Sequence, residues 1–146
     1  MLCVWDWLQE SIILKSKAFS QEIYRVTFSE YQDDVLTTSG MGHIKFWKIA
    51  ETFTGLKLKG EIGKFGQNEI SDIVAYYEFP DGKVLSGTEY GKLLLWEGNL
   101  IKCVVGINEN TPCHKGAIEV KKTTIFLIFI GIFVMKISFF LGCFQG

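Results

Sequence analysis

The sequence predicts an all-β fold assembled from a repeated unit of about four strands, and three observations carry that prediction. Apolar, strand-like runs that end in tryptophan recur as LCVWDW, HIKFWKI and KLLLWEG. The tryptophans at 5, 47 and 96 lie 42 and 49 residues apart, near the roughly 40 to 45 residues that one four-stranded repeat unit occupies. The same grammar precedes the second and third runs: an apolar strand, a turn, a short strand ending in Ser-Gly, a second turn, then the Trp strand.

Taken in order, the first unit, about residues 2–18, holds a Trp strand with Trp5 and Asp6, followed by the outer strand SIILKSKA. The second, about 23–61, reads YRVTFSEYQDDVLTTSGMGHIKFW and closes with LKLKGEI, whose alternating Lys57 and Lys59 suit an exposed sheet edge. Asp33-Asp34 serves as its first turn; Ser39-Gly40 ends the short strand and Gly42 is expected to open the next turn. The third, about 72–105, reads DIVAYYEFPDGKVLSGTEYGKLLLW and closes with LIKCVV. Pro80 presets φ for its first turn and Asp81-Gly82 supplies a residue free to take φ > 0; Ser86-Gly87 ends the short strand and Gly91 is expected to open the following turn. HKGAIEV, at 114–120, reads as the start of a further unit.

The strands are apolar on both faces. In KLLLW, Leu93 and Leu95 point one way while Leu94 and Trp96 point the other, so neither face suits water. No amphipathic helical pattern is present to cover them, so other sheets must. Sheets stacked around an axis, as the blades of a β-propeller, satisfy that requirement. The expected domain organisation is a propeller fragment at 1–120, about two full blades with parts of two more, and a separate hydrophobic tail at 121–146.

Composition narrows the function. Net charge is −1, and without residues 125–146, which hold only Lys136, the balance is 14 basic to 16 acidic residues. Basic residues are scattered singly, which argues against nucleic acid as a partner. Cys3, Cys103, Cys113 and Cys143 form no CxxC pair and only two histidines accompany them, so no zinc or redox spacing exists and free thiols are expected. The start, MLCVWDWLQE, lacks a signal peptide's basic and long apolar regions, and no Asn-x-Ser/Thr acceptor occurs.

No catalytic, cofactor-binding or metal site is expected. His43 starts a strand, and neither it nor His114 has a carboxylate or thiol pattern beside it. Asp33, Asp34 and Asp81 sit in turns that favour Asp. SGMGHIK lacks the third glycine and the helix of a dinucleotide loop, and Ser39 and Ser86 are not in a G-x-S-x-G elbow.

VTFSEYQDDVLTTSG with HIKFW, and EFPDGKVLSGTEYGKLLLW, resemble units of the WD-repeat family, and the resemblance covers residues 2 to about 120. The positions that carry it are Trp5, Asp6, Ser39, Gly40, Trp47, Asp81, Gly82, Ser86, Gly87, Trp96 and His114. Two departures stand out. Tyr90 occupies the turn position where the family often has Asp, and AFSQE lacks the leading His, so the buried polar network of such repeats is incomplete. Stability is then expected to rest more on apolar packing. The run from Gly60 to Lys102 is most similar to large cilia- and flagella-associated WD-repeat proteins of the axoneme. The resemblance implies a non-catalytic scaffold in the axoneme or cytoplasm, without cofactors, whose partners are proteins: axonemal and dynein-tether components, with microtubules as a further candidate. GHIKFW at 42–47 also resembles the cytoplasmic microtubule-associated WD-repeat group, which gives an alternative.

From Ile125 to Phe144, fourteen of 20 residues are Leu, Ile, Phe or Val, and as a helix they would extend about 30 Å, enough to cross a bilayer. Insertion would be favourable even against the roughly 3 kcal/mol cost of Lys136, and Lys121 and Lys122 flank one end. The alternative reading is therefore a tail-anchored membrane adaptor. The tail nevertheless replaces the next blade strand and continues none of the repeat grammar. The favoured expectation is a truncated or alternatively spliced end, or one read into non-coding sequence.

Overall fold

In the computed structural model, which describes residues 1–105 and 111–119, ten strands form three antiparallel sheets. β1 (Leu2–Asp6) and β2 (Ser11–Ser16) make a two-stranded sheet. β3 (Ile23–Phe28), β4 (Val35–Gly40), β5 (His43–Thr52) and β6 (Gly55–Ile62) make a four-stranded sheet in that order. β7 (Ile73–Glu78), β8 (Val84–Thr88), β9 (Leu93–Glu97) and β10 (Leu100–Val105) make another. This is the all-β propeller-fragment architecture that the tryptophan period predicts, with no helix among the described residues. The apolar tail and its membrane reading lie outside the described residues.

Each strand forms where alternating apolar and β-branched residues meet a turn that reverses the chain. Gly82 takes φ 79° at the β7–β8 turn, the left-handed conformation that Pro80-Asp81-Gly82 foretells. Asp34 reaches φ 61° at the equivalent β3–β4 turn, a conformation Asp tolerates better than most side chains. Gly42 and Gly91 also have positive φ, but they end the β4–β5 and β8–β9 turns rather than opening them.

Two apolar clusters hold the sheets together. Ile44, Phe65, Ile73, Tyr76, Val84, Leu94 and Trp96 fill the space between the two four-stranded sheets. Leu2, Ala18, Leu36 and Trp47 fill the space toward the β1–β2 sheet. Burying one such side chain contributes about 1.5 to 3 kcal/mol, which makes these clusters the main source of cohesion.

The connector between β6 and β7 is stitched to both large sheets. Gly63 N–H donates to Ile44 O at 2.8 Å and Lys64 N–H donates to Asn99 O at 2.8 Å. Phe65 then sets its ring edge-on to Trp96, with centroids 5.4 Å apart at 88°.

Candidate interaction site at the seam between blades

The tryptophans anchor each blade through a hydroxyl on the neighbouring strand. Trp96 Nε1–H donates to Ser86 Oγ at 2.8 Å, both fully buried. Trp47 Nε1–H donates to Thr38 Oγ1 at 2.9 Å. The residue matching Ser86 is therefore Thr38, and the Ser-Gly pairs at 39–40 and 86–87 are not equivalent.

Pairing register gives the reason. Trp96 lies opposite Val84 and Trp47 opposite Leu36, which aligns Ser86 with Thr38 and Gly87 with Ser39. The register shifts at the starts of β3 and β7 fall at matching places on the same alignment. The β4–β5 turn has two residues between the Gly40–His43 pair, whereas Thr88 N–H bonds to Lys92 O across a three-residue turn. One residue fewer in the turn displaces the motif by one. Ser39 Oγ is buried without a hydrogen-bond partner.

The other repeat positions are distributed as follows. Asp6 Oδ1 accepts the N–H groups of Leu8 and Gln9 at 2.9 and 3.0 Å, closing the β1–β2 turn. Trp5, by contrast, is 59% exposed. Gly40 lies so close to the backbone of Glu22 that a side chain there would strike its carbonyl, and a side chain at Gly87 would meet chiefly the side chain of Ile118. Asp81 Oδ1 accepts Lys83 N–H at 3.2 Å, and its other oxygen pairs with the Lys83 ammonium. His114 is exposed and its N–H donates to Gly91 O at 3.2 Å, which fastens the chain to the β8–β9 turn. His43 is fully buried; its ring stacks on Phe19 at 4.0 Å and its Nδ1 meets Met41 O at 3.0 Å. An aromatic stack thus stands in the region where the sequence lacks a leading His.

Polar bonding has not been given up with the incomplete repeat network, as apolar patterning alone suggests; part of it lies between the blades. Tyr24 OH donates to Asp72 Oδ2 at 2.9 Å, and Asp72 Oδ1 also accepts Gly42 N–H at 2.9 Å. Tyr76 OH donates to Thr37 O at 2.7 Å; its single proton is then used, so the Thr27 hydroxyl, 2.6 Å away, is the donor in their bond. Ser29 Oγ donates to Glu78 Oε1 at 2.7 Å. Arg25 lies 5.1 Å above the Tyr76 ring. Burial pushes the Tyr76 phenol above the usual tyrosine range, against the opposing influence of the Thr27 bond and the Arg25 charge. Donation to Asp72 raises the Tyr24 phenol as well.

Each neutral bond of this seam contributes about 0.5 to 1.5 kcal/mol net, and leaving a buried member unpaired costs more than the bond is worth. The arrangement fixes one blade against the next; it assembles no nucleophile, base and oxyanion donor. Among the described residues, no group of three or more His, Cys, Asp and Glu side chains is placed to hold a metal ion.

No family model matches the chain. Individual proteins do. The chain is 60% identical over 119 residues to Cilia- and flagella-associated protein 44 of Chlamydomonas reinhardtii, covering 82% of the chain and 7% of that protein. It is 56% identical over 118 residues to the Mus musculus protein of the same name, covering 81% of the chain and 6% of that protein. Echinoderm microtubule-associated protein-like 4 of Mus musculus is 31% identical over 127 residues, covering 81% of the chain and 12% of that protein. The chain thus spans less than a tenth of the length of the two cilia- and flagella-associated relatives. With its two tryptophan-anchored, four-stranded blades and these identities, the chain belongs to the WD-repeat family and is similar, over about four fifths of its length, to cilia- and flagella-associated protein 44.

Proposed function

We propose that this chain is a non-catalytic scaffold segment of the ciliary or flagellar axoneme, within an assembly that tethers dynein and shapes motility. The observation that carries the reading is the 60% identity over 119 residues to a cilia- and flagella-associated protein. The seam supports it physically. A scaffold must hold loop surfaces at fixed angles, and hydrogen bonds from Tyr24, Ser29 and Tyr76 across the blade boundary resist the hinge motion that a purely apolar contact would permit. The partners proposed are other axonemal proteins, dynein-tether components among them.

The test is expression of the tagged chain in a ciliated cell, followed by detergent extraction and pull-down. Retention in the axonemal fraction with dynein-arm proteins is the expected result; complete release with the detergent-soluble fraction would refute it. A second reading, direct binding to microtubules, is favoured by the likeness to Echinoderm microtubule-associated protein-like 4. Co-pelleting of the purified chain with bare microtubules, without other axonemal proteins, would support that reading instead.

A further inference from the structure

The hairpins that follow the three repeat tryptophans differ in length. Beyond the pair that holds the tryptophan, β1–β2 and β9–β10 each continue for one further pair, Asp6 with Ser11 and Glu97 with Leu100. β5–β6 continues for five, from Lys48 with Lys59 to Thr52 with Gly55. Four of these lie past the last β4 partner, Val35 with Lys48, and carry a two-stranded arm about 14 Å beyond it at roughly 3.4 Å per residue. Phe53, at the tip of the arm, is fully exposed.

Register gives the arm two unlike sides. Ile49 and Leu58 share the side of Trp47 and pack on its cluster, and Leu56, 46% exposed, continues that side outward. The opposite side carries Lys48, Lys57 and Lys59, all exposed, with Lys48 and Lys59 directly across from one another. Like charges so placed repel. Among the described residues, no ion pair or hydrogen bond engages any of the three ammonium groups. β6 is also the outer edge of its sheet and pairs with β5 alone, so alternate residues along it turn their backbone N–H and C=O groups outward.

We infer that the β6 edge of this arm binds an extended segment of a partner protein in which acidic and aliphatic residues alternate, added as an antiparallel strand. The residues opposite Lys57 and Lys59 are Asp or Glu, and those opposite Leu56 and Leu58 are aliphatic. Glu61 shares the lysine side and excludes a third acid opposite itself, which pins the register. The occupant follows from charge complementarity along the edge. Carboxylates two residues apart on a strand have the spacing of Lys57 and Lys59, and the one at Lys59 also offsets Lys48. Lysine on an edge ordinarily keeps other strands away; here it selects among them. A second copy of the chain is a poor occupant, because symmetric antiparallel pairing of two β6 edges sets lysine against lysine. A two-stranded ribbon is marginal in water, and a third strand with an apolar side steadies it, so the arm gains order from the segment it binds. This inference does not depend on the ciliary reading.

The probe is the synthetic peptide Lys-Thr-Glu-Val-Glu-Val-Thr, which, antiparallel to β6, sets its glutamates opposite Lys59 and Lys57 and its lysine opposite Glu61. Titrated into the full chain at millimolar concentration, it should shift the amide resonances of residues 55–61 saturably and slow their hydrogen exchange. The charge-reversed peptide Lys-Thr-Lys-Val-Lys-Val-Thr should leave them unmoved, a comparison that needs no variant. Lys57→Glu combined with Lys59→Glu should weaken binding of the first peptide about tenfold and confer binding of the second. Both lysines are exposed, and an unmoved Trp96 indole resonance reports that the variant keeps its fold. No saturable shift at residues 55–61, or an equal response to the two peptides, would overturn the proposal. So would an equal response to an all-glutamate heptapeptide, or capture of phosphatidylserine–phosphatidylcholine vesicles through Lys57 and Lys59 without a response to the first peptide.

Discussion

Replacing Thr38 by Val and, separately, Ser39 by Ala separates the structural alignment of the blades from the one their Ser-Gly motifs suggest. Thr38 Oγ1 accepts the Trp47 indole N–H at 2.9 Å, and Thr38 and Trp47 are 1% and 3% exposed. Val keeps the shape and β-branching of Thr, so the change removes the acceptor and little else. A buried indole N–H left without a partner costs about 1 to 3 kcal/mol, from which the gain of an apolar methyl subtracts a part; the expected loss is about 1 to 2 kcal/mol. Ser39 Oγ, though fully buried, has no partner to lose. Ser39→Ala should therefore fall within about 0.5 kcal/mol of the parent or stabilise it. Urea unfolding followed by far-UV circular dichroism measures both, with the midpoint moving at constant slope. A Ser39→Ala loss equal to that of Thr38→Val would refute the register argument and restore Ser39 as the counterpart of Ser86.

The seam supports two further expectations, and a pair of glycines a third. Tyr76→Phe should cost about 1 to 2 kcal/mol, and in a double-mutant cycle with Thr27→Val the two losses should fall short of additivity by at least about 0.5 kcal/mol; strict additivity would mean that the 2.6 Å contact carries no coupling. Because the folded state holds the Tyr76 phenol above the ordinary 10.0, the stability it contributes is whole below about pH 10 and is lost as pH rises through the folded value. Thermal unfolding between pH 8 and 11 should show a shallower alkaline decline in Tyr76→Phe than in the parent, and identical slopes would contradict that assignment. Gly40→Ala should disrupt the chain severely, since its Cβ meets the Glu22 backbone, whereas Gly98→Ala meets nothing and should cost only about 1 to 2 kcal/mol for its φ of 59°; thermal midpoints would distinguish them.

Much of the architecture was legible because tryptophan, turn residues and two-sided apolar strands act locally. Gly82 is needed where the chain reverses, and Trp96 must be buried wherever its blade goes. The seam was not legible. Tyr24 and Asp72 are 48 residues apart, and nothing in either neighbourhood says which polar groups meet once two sheets are stacked. Thr38 was hidden by a different cause: the Ser-Gly motif is conspicuous in both blades, but a turn one residue shorter moves the equivalent position to its inconspicuous neighbour. The Phe19–His43 stack was likewise concealed, because a missing histidine in AFSQE gives no sign that a buried ring on β5 will face the phenylalanine.

The connector at 63–65 has a mechanical consequence. Its two backbone bonds reach into different sheets, Gly63 to β5 and Lys64 to the β9–β10 turn, and Phe65 lies against the Trp at the centre of the following blade. Tension drawn along the chain from one blade to the next does not meet a slack tether; it loads both sheets together with the aromatic contact. Stretched between its ends in an optical trap, the pair should therefore give way in a single extension step, behaving as one elastic element through which a pull on either blade is handed to the other.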